Sequence, residues 1–101
     1  MIRGAYWRFQ KPIVITENGI ADSVDAKRSA FIHNHIIQIG KAIRDGVDVR
    51  GYFYWSLLDN FEWESGFGPR FGLVEVDYKT LERKIRPSAL VYKKIIERGH
   101  L

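Results

Sequence analysis

The sequence predicts an α/β fold in which two parallel strands and their helices deliver polar side chains to one end of a sheet. Three observations carry this reading. Ile13, Val14 and Ile15 form a strand-like apolar run that ends abruptly in Thr16-Glu17-Asn18-Gly19, a carboxylate followed by two turn-forming residues. Ile32, Ile36, Ile39 and Ile43 then recur at helical spacing, with Phe31 and Ala42 alongside. Val47 to Ser56 reads as a second strand, so strand, helix and strand follow in the order of a right-handed crossover.

Residues 1–10 mix Arg with Tyr6, Trp7 and Phe9 without clear periodicity, and they hold no apolar core of the signal-peptide type. The run at 13–15 places Val and Ile on consecutive positions, the pattern of a strand buried on both faces of a parallel sheet. Glu17 sits where that strand opens at its carboxyl end, the place where α/β barrels put their chemistry. A partly desolvated carboxylate there is paired, hydrogen-bonded or in use. Position alone does not separate a catalytic Glu17 from one that ties down the next loop.

A helix is expected from about Asp25 to Arg44, stopped by Asp45-Gly46. His33 and His35 lie two residues apart on it and face different ways, so packed or hydrogen-bonded rings are expected and a metal site is not. After the second strand, Trp55, Asp59, Asn60, Glu62 and Trp63 fall within nine residues. Acidic and amide groups beside flat apolar rings suit a sugar, whose hydroxyls need acceptors and whose C–H faces stack on indole. In this stretch Phe53 and Phe61 are read as core, and Glu62, between Phe61 and Trp63, as functional. Residues 71–78 alternate enough for a short surface strand that turns at Lys79-Thr80. Pro87-Ser88 opens a final helix over Ala89 to Glu97, with Leu90, Val91, Ile95 and Ile96 as its apolar stripe and Gly99 as its cap.

Composition narrows the function classes. Hydrophobic residues make up 46% of the 101, as in globular proteins and unlike disordered ones. No window approaches the ~18 apolar residues of a transmembrane helix. The absence of Cys excludes a disulfide staple or a thiolate metal site, and it fits a cytoplasmic protein. The net charge of +4 raises nucleic acid as a partner, but the 16 Lys and Arg alternate with 12 acids, and a basic helix surface over 79–98 explains them. Gly66-Phe67-Gly68 lacks the strand–loop–helix context of a phosphate loop. Nucleic acid, membrane, metal and cofactor are therefore not expected.

Several of these motifs together resemble the carboxyl-terminal part of family 1 glycoside hydrolases, the β-glucosidase and β-galactosidase family. The residues that carry the resemblance are Ile15 to Gly19, Gly51 to Trp63, Gly66-Phe67, Arg70 to Leu73 and Val76-Asp77-Tyr78. Lys84, Pro87, Ser88, Ala89 and Tyr92 echo the family's last helix. The resemblance spans residues 11 to 97, in family order and spacing, and Thr16 to Asp22 is most similar to the archaeal branch.

The resemblance implies strands seven and eight of a (β/α)8 barrel, incomplete as a barrel in this chain, with 1–101 a single partial domain. It implies that Glu17 is the catalytic nucleophile of a retaining hydrolysis. Glu62 would accept hydrogen bonds from outer hydroxyls of the sugar, Trp63 would donate its N–H to another, Trp55 would form the sugar platform, and Phe71 would line the far end of the pocket. Family members acting on 6-phospho sugars carry Ser in place of Glu62 and add a Lys and a Tyr downstream. Here those positions hold Glu62, Pro69 and Phe71, so a neutral β-glucoside, β-galactoside or oligosaccharide is the expected substrate.

A whole barrel needs about 250 residues, and retaining hydrolysis needs a second carboxylate about 5 Å from the nucleophile. The family's Thr-x-Asn-Glu-Pro motif, which supplies that acid/base, does not occur in this sequence. Two expectations follow. One is part of an enzyme whose remaining strands come from a protein partner. The other is a catalytically inactive fragment or small α/β module that self-associates and binds sugar weakly.

Overall fold

The computed structural model describes residues 1–100. Helix α1 (Ile2–Phe9) leads into strand β1 (Ile13–Asn18), helix α2 (Arg28–Arg44) and strand β2 (Val49–Tyr54). A single 3-10 turn (Trp63–Ser65), strands β3 (Val74–Val76) and β4 (Arg83–Ile85) and helix α3 (Pro87–Arg98) complete the chain.

Strands β1 and β2 pair in parallel, as the strand–helix–strand order requires, with α2 as the crossover. The register slips between Ile15 and Asn18, where two residues of β1, Thr16 and Glu17, stand against the single Phe53 of β2. This bulge covers Thr16 and Glu17, and a bulge re-aims the side chains it carries.

Helix α2 begins three residues later than its spacing suggests. Asp25 has φ +58°, a left-handed conformation that no helix continues through, and Lys27 stands at the N-cap. Helix α3 starts at Pro87, whose missing N–H costs nothing at the first helical position. It ends as expected at Gly99, with φ +72° and the amide bonded to the Ile95 carbonyl at 3.0 Å.

Two elements carry no periodic signature, the first being the helix end that the resemblance implies before β1. Residues 2–9 are helical although none is buried, so no apolar period had to mark them. Strand β4 pairs antiparallel with β3 and is exposed at all three positions, so Arg83-Lys84-Ile85 shows no alternation.

The core lies between the sheet and the two long helices. Ile32 of α2, Tyr54 of β2, Leu73 and Ile95 of α3 are buried together, with Phe31, Ile36, Tyr52, Ala89, Val91 and Tyr92 packed against them. The other face of the sheet is bare, which corrects two expectations. Strand β1 is not buried on both faces, since Val14 is 48% exposed, and Phe53 is not core but 60% exposed. Among the described residues no further strand pairs with β1 or β2, so nothing closes over this face. Phe61 is likewise half exposed rather than core.

Candidate active site

The carboxyl ends of β1 and β2 are tied by backbone bonds. The Trp55 amide donates to the Asn18 carbonyl at 2.9 Å, and the Tyr52 hydroxyl donates to Asn18 Oδ1 at 2.9 Å. Burial, with Tyr92 and Tyr54 nearby, pushes the Tyr52 phenol well up, so it stays a proton donor. Gly19 makes this approach possible, because a Cβ there would stand 1.8 Å from the Trp55 carbonyl oxygen. The Trp55–Ser56 peptide bond is cis.

Glu17 therefore sits one residue before Asn18, in the bulge and exposed to solvent. It lines a cavity of about 440 Å³ bounded by Ile15, Asn18 and Tyr52, by His35, Gln38, Ile39 and Ala42 of α2, and by residues 1–3. That cavity does not include Trp55, Glu62, Trp63 or Phe71. The Trp55 backbone is bonded to Asn18, the residue after Glu17, and Phe71 is tied to the same strand end. Its carbonyl accepts from the Ser56 amide at 3.2 Å and from the Tyr54 hydroxyl at 3.0 Å.

Glu62 and Trp63 ride on a tight turn. The Glu62 amide donates to the Gly66 carbonyl at 2.7 Å, and the Ser65 amide to the Glu62 carbonyl at 2.9 Å. Trp63 has φ +47° and is 82% exposed, and Glu62 is half buried. Left-handed backbone is uncommon for a bulky residue, and here it accompanies an indole that stands in solvent.

Beneath these residues lie two polar clusters, and the first corrects the reading of Asp59 as one of the acids suited to a sugar, since its carboxylate is turned inward and paired. Asp59 has a fully buried carboxylate. It accepts from Arg86 Nη1 and Nη2 at 2.8 and 3.1 Å, from Arg70 Nη1 at 2.7 Å, and from the amides of Gly72 and Val76. Burial by itself would raise this carboxyl, but the two guanidiniums and two amides together hold it below the ordinary carboxylate range.

The second cluster centres on Arg28, which is wholly buried. Its guanidinium pairs with Asp25 and donates to the Tyr54 hydroxyl at 3.0 Å, the Asp22 carbonyl at 2.7 Å and the Arg70 carbonyl at 2.8 Å. It thereby holds the 19–27 loop, which follows Glu17, against the 66–72 loop, which leads to Phe71. Only burial distinguishes Arg28, Arg70 and Arg86 from the other basic residues, and a single sequence does not show burial.

His35 is packed as expected, its ring stacked on Phe31 at 3.9 Å and its Nδ1 2.9 Å from the Phe31 carbonyl. Among the described residues no group of three His, Asp or Glu side chains could hold a metal ion, and no helix is long and apolar enough to cross a membrane.

Comparison with known proteins matches residues 1–100 to glycosyl hydrolase family 1. A β-galactosidase of Sulfolobus acidocaldarius is 54% identical over 91 residues, covering 89% of this chain and 18% of that protein. The crystal structure of a hyperthermophilic β-glucosidase from Pyrococcus furiosus superposes with a TM-score of 0.96 at 43% identity, over 99% of this chain and 21% of that one. A β-glucosidase of Thermotoga maritima, solved in complex with glucoimidazole, superposes with a TM-score of 0.86 at 40% identity, over 100% of this chain and 27% of that one. This chain thus spans about a fifth of the length of the curated relatives it matches. Its parallel strands and their helices are part of the family's (β/α)8 barrel. The chain belongs to glycosyl hydrolase family 1.

Proposed function

We propose that the chain, as one partial domain over residues 1–101, carries the nucleophile and the sugar-binding residues of a retaining β-glycosidase acting on terminal, non-phosphorylated β-glucosides or β-galactosides. The observation that carries this reading is the position of Glu17. It lies at the carboxyl end of a parallel strand, re-aimed by a bulge and joined to Trp55 through Asn18.

In this reading a Glu17 oxygen attacks the anomeric carbon as the bond to the aglycone oxygen breaks, leaving a covalent glycosyl–enzyme. The acid that protonates the departing oxygen, and then deprotonates the water that hydrolyses the ester, is a glutamate outside this chain. Glu62 accepts from outer hydroxyls of the sugar, Trp63 donates its indole N–H, Trp55 stacks under the ring, and Phe71 closes the far end. The relatives' names and the glucoimidazole bound by the Thermotoga enzyme favour a neutral hexose.

The test is a chimera in which this chain replaces the matching segment of the Sulfolobus β-galactosidase. Hydrolysis of nitrophenyl β-glycosides is expected, lost in Glu17→Gly and restored to that variant by azide as a small external nucleophile. A chimera that folds and hydrolyses equally well with Glu17→Gly would overturn the assignment.

A second reading, a self-associating module with weak sugar binding, draws on the bare face around Val14 and Phe53. Light scattering of the isolated chain, run alongside nitrophenyl β-glucoside hydrolysis, separates the two. An inactive species of 11.8 kDa favours an enzyme part that lacks its partner, and an oligomer favours the module.

A further inference from the structure

The turn that carries Glu62 and Trp63 stands in solvent, yet a continuous line of contacts leads from it to the buried Asp59 carboxylate. Phe61, just before Glu62, meets Phe67 edge-on with ring centroids 5.3 Å apart, and Phe67 meets Tyr78 in the same manner at 4.8 Å. The Arg70 guanidinium lies over the Tyr78 ring, 4.4 Å from its centroid. Its Nη1 also donates to Asp59 Oδ2 and to the Val76 carbonyl, each at 2.7 Å.

A planar guanidinium stacks flat on a ring while its edge N–H groups bond a carboxylate, whereas an ammonium is a compact point charge with no flat face to stack. Arg70 is the point where the buried cluster meets the aromatic line. Asp59 does not need Arg70 for neutrality, because Arg86 already binds it through both oxygens. The Arg70 side chain is 24% exposed, against none for the Asp59 carboxylate it reaches. Its surplus contact is spent on Tyr78, and through Tyr78 and Phe67 on the residue beside Glu62.

We infer that Arg70, fixed by Asp59 and stacked on Tyr78, is a positioning residue that holds the Glu62–Trp63 turn in place for an outer hydroxyl of the sugar. What the turn binds rests on the glycosidase reading above; the contacts that hold the turn do not. Arg70 touches neither Glu62 nor Trp63 and reaches them through the line of rings and through the Tyr78 hydroxyl, which donates to the Asn60 carbonyl at 3.5 Å.

The test uses the whole chain labelled with 5-fluorotryptophan. Its three tryptophans report separately, with Trp7 on α1, Trp55 at the end of β2 and Trp63 on the turn. In Arg70→Lys the charge stays and the stacking goes, so the fluorine signal of Trp63 is expected to shift or broaden while that of Trp7 stays. Tyr78→Leu, one contact further along the same line, is expected to move the same signal. An unmoved Trp63 in both variants would overturn the inference. So would the loss of all three native signals in both, because the pair would then hold the fold rather than the turn.

In the chimera, Arg70→Lys is expected to raise KM for a neutral β-glycoside about tenfold with a smaller change in kcat. That loss should largely vanish in a Glu62→Gln background, since a positioning residue has nothing left to position. Additive losses would refute the inference. An unmutated chimera without activity counts against the glycosidase reading alone, and the fluorine spectra then decide the role of Arg70.

Discussion

Ser88 donates its hydroxyl to Asp25 Oδ1 at 2.7 Å and its amide to Asp25 Oδ2 at 3.0 Å, so helix α3 is capped from 63 residues upstream. Arg86 occupies the N-cap and makes no side-chain cap of its own. The carboxylate that satisfies this helix start also pairs with buried Arg28, and it joins the loop after β1 to the last helix.

The two partners of that cap should differ in cost. Ser88→Ala removes one neutral donor and is expected to lower unfolding free energy by about 1 kcal/mol. Asp25→Ala also strands the Arg28 guanidinium and is expected to cost about 3 kcal/mol or more. Urea unfolding of the two variants side by side gives the comparison, and equal losses would show that the Asp25–Arg28 pair adds nothing.

Acid should act through Asp59. Its carboxyl is held below the ordinary value of 3.8, so the unfolded chain binds protons before the folded one does. The stability it supplies is complete above the unfolded value and is lost as pH falls through the folded one, from about pH 4 downward. Asp22, lowered chiefly by the Lys27 amide against burial, adds to the same slope. Urea midpoints taken across this range should fall steeply for the wild type. Asp59→Asn should start lower at neutral pH and fall less, and parallel curves would contradict the assignment.

Two glycines make opposite predictions. Gly19→Ala puts a methyl group 1.8 Å from the Trp55 carbonyl oxygen, a backbone atom that cannot swing aside, so the ends of β1 and β2 must part. A loss above about 3 kcal/mol is expected. Gly40→Ala lies within α2 with nothing inside 4 Å, and it should stabilise by about 1 kcal/mol through helix propensity. Thermal melts of both variants check the pair of signs.

Glu62→Ser, made in the chimera, should raise KM for neutral β-glycosides about ten- to a hundredfold, the loss of a hydrogen bond to a charged acceptor. The penalty should be smaller for a 6-phosphoglycoside, whose anion Glu62 repels. Unchanged KM for the neutral substrate would remove Glu62 from the sugar site.

The legible parts of this chain were those with a local signature. Ile13 to Gly19 showed a strand and its end, Ile32 to Ile43 the crossover helix, and Gly99 a helix cap, because periodicity and backbone preference act over a few residues. The bulge at Thr16–Glu17 was not legible, since it is a relation between two strands. The buried pairing of Asp25, Arg28, Arg70 and Arg86 was not legible for a similar reason. Each looks like an ordinary surface charge until residues from distant parts of the chain close around it. Phe53 and Phe61 misled in the opposite direction, as their apolar character predicts burial and the surfaces that would bury them are not among the described residues.

The two buried arginines make a different kind of statement about heredity. Every hydrogen-bonding partner of the Arg28 and Arg86 side chains lies between Ile20 and Gly72, and no buried side-chain polar atom among the described residues lacks a partner. What the segment presents outward at its sheet face is apolar, and apolar contact tolerates a change of neighbour better than directional bonding does. Homologous genes should therefore recombine freely near Lys11, where a crossover moves both clusters whole. Crossovers between Asp59 and Arg70 would part a carboxylate from its guanidinium, and they should be scarce among functional recombinants.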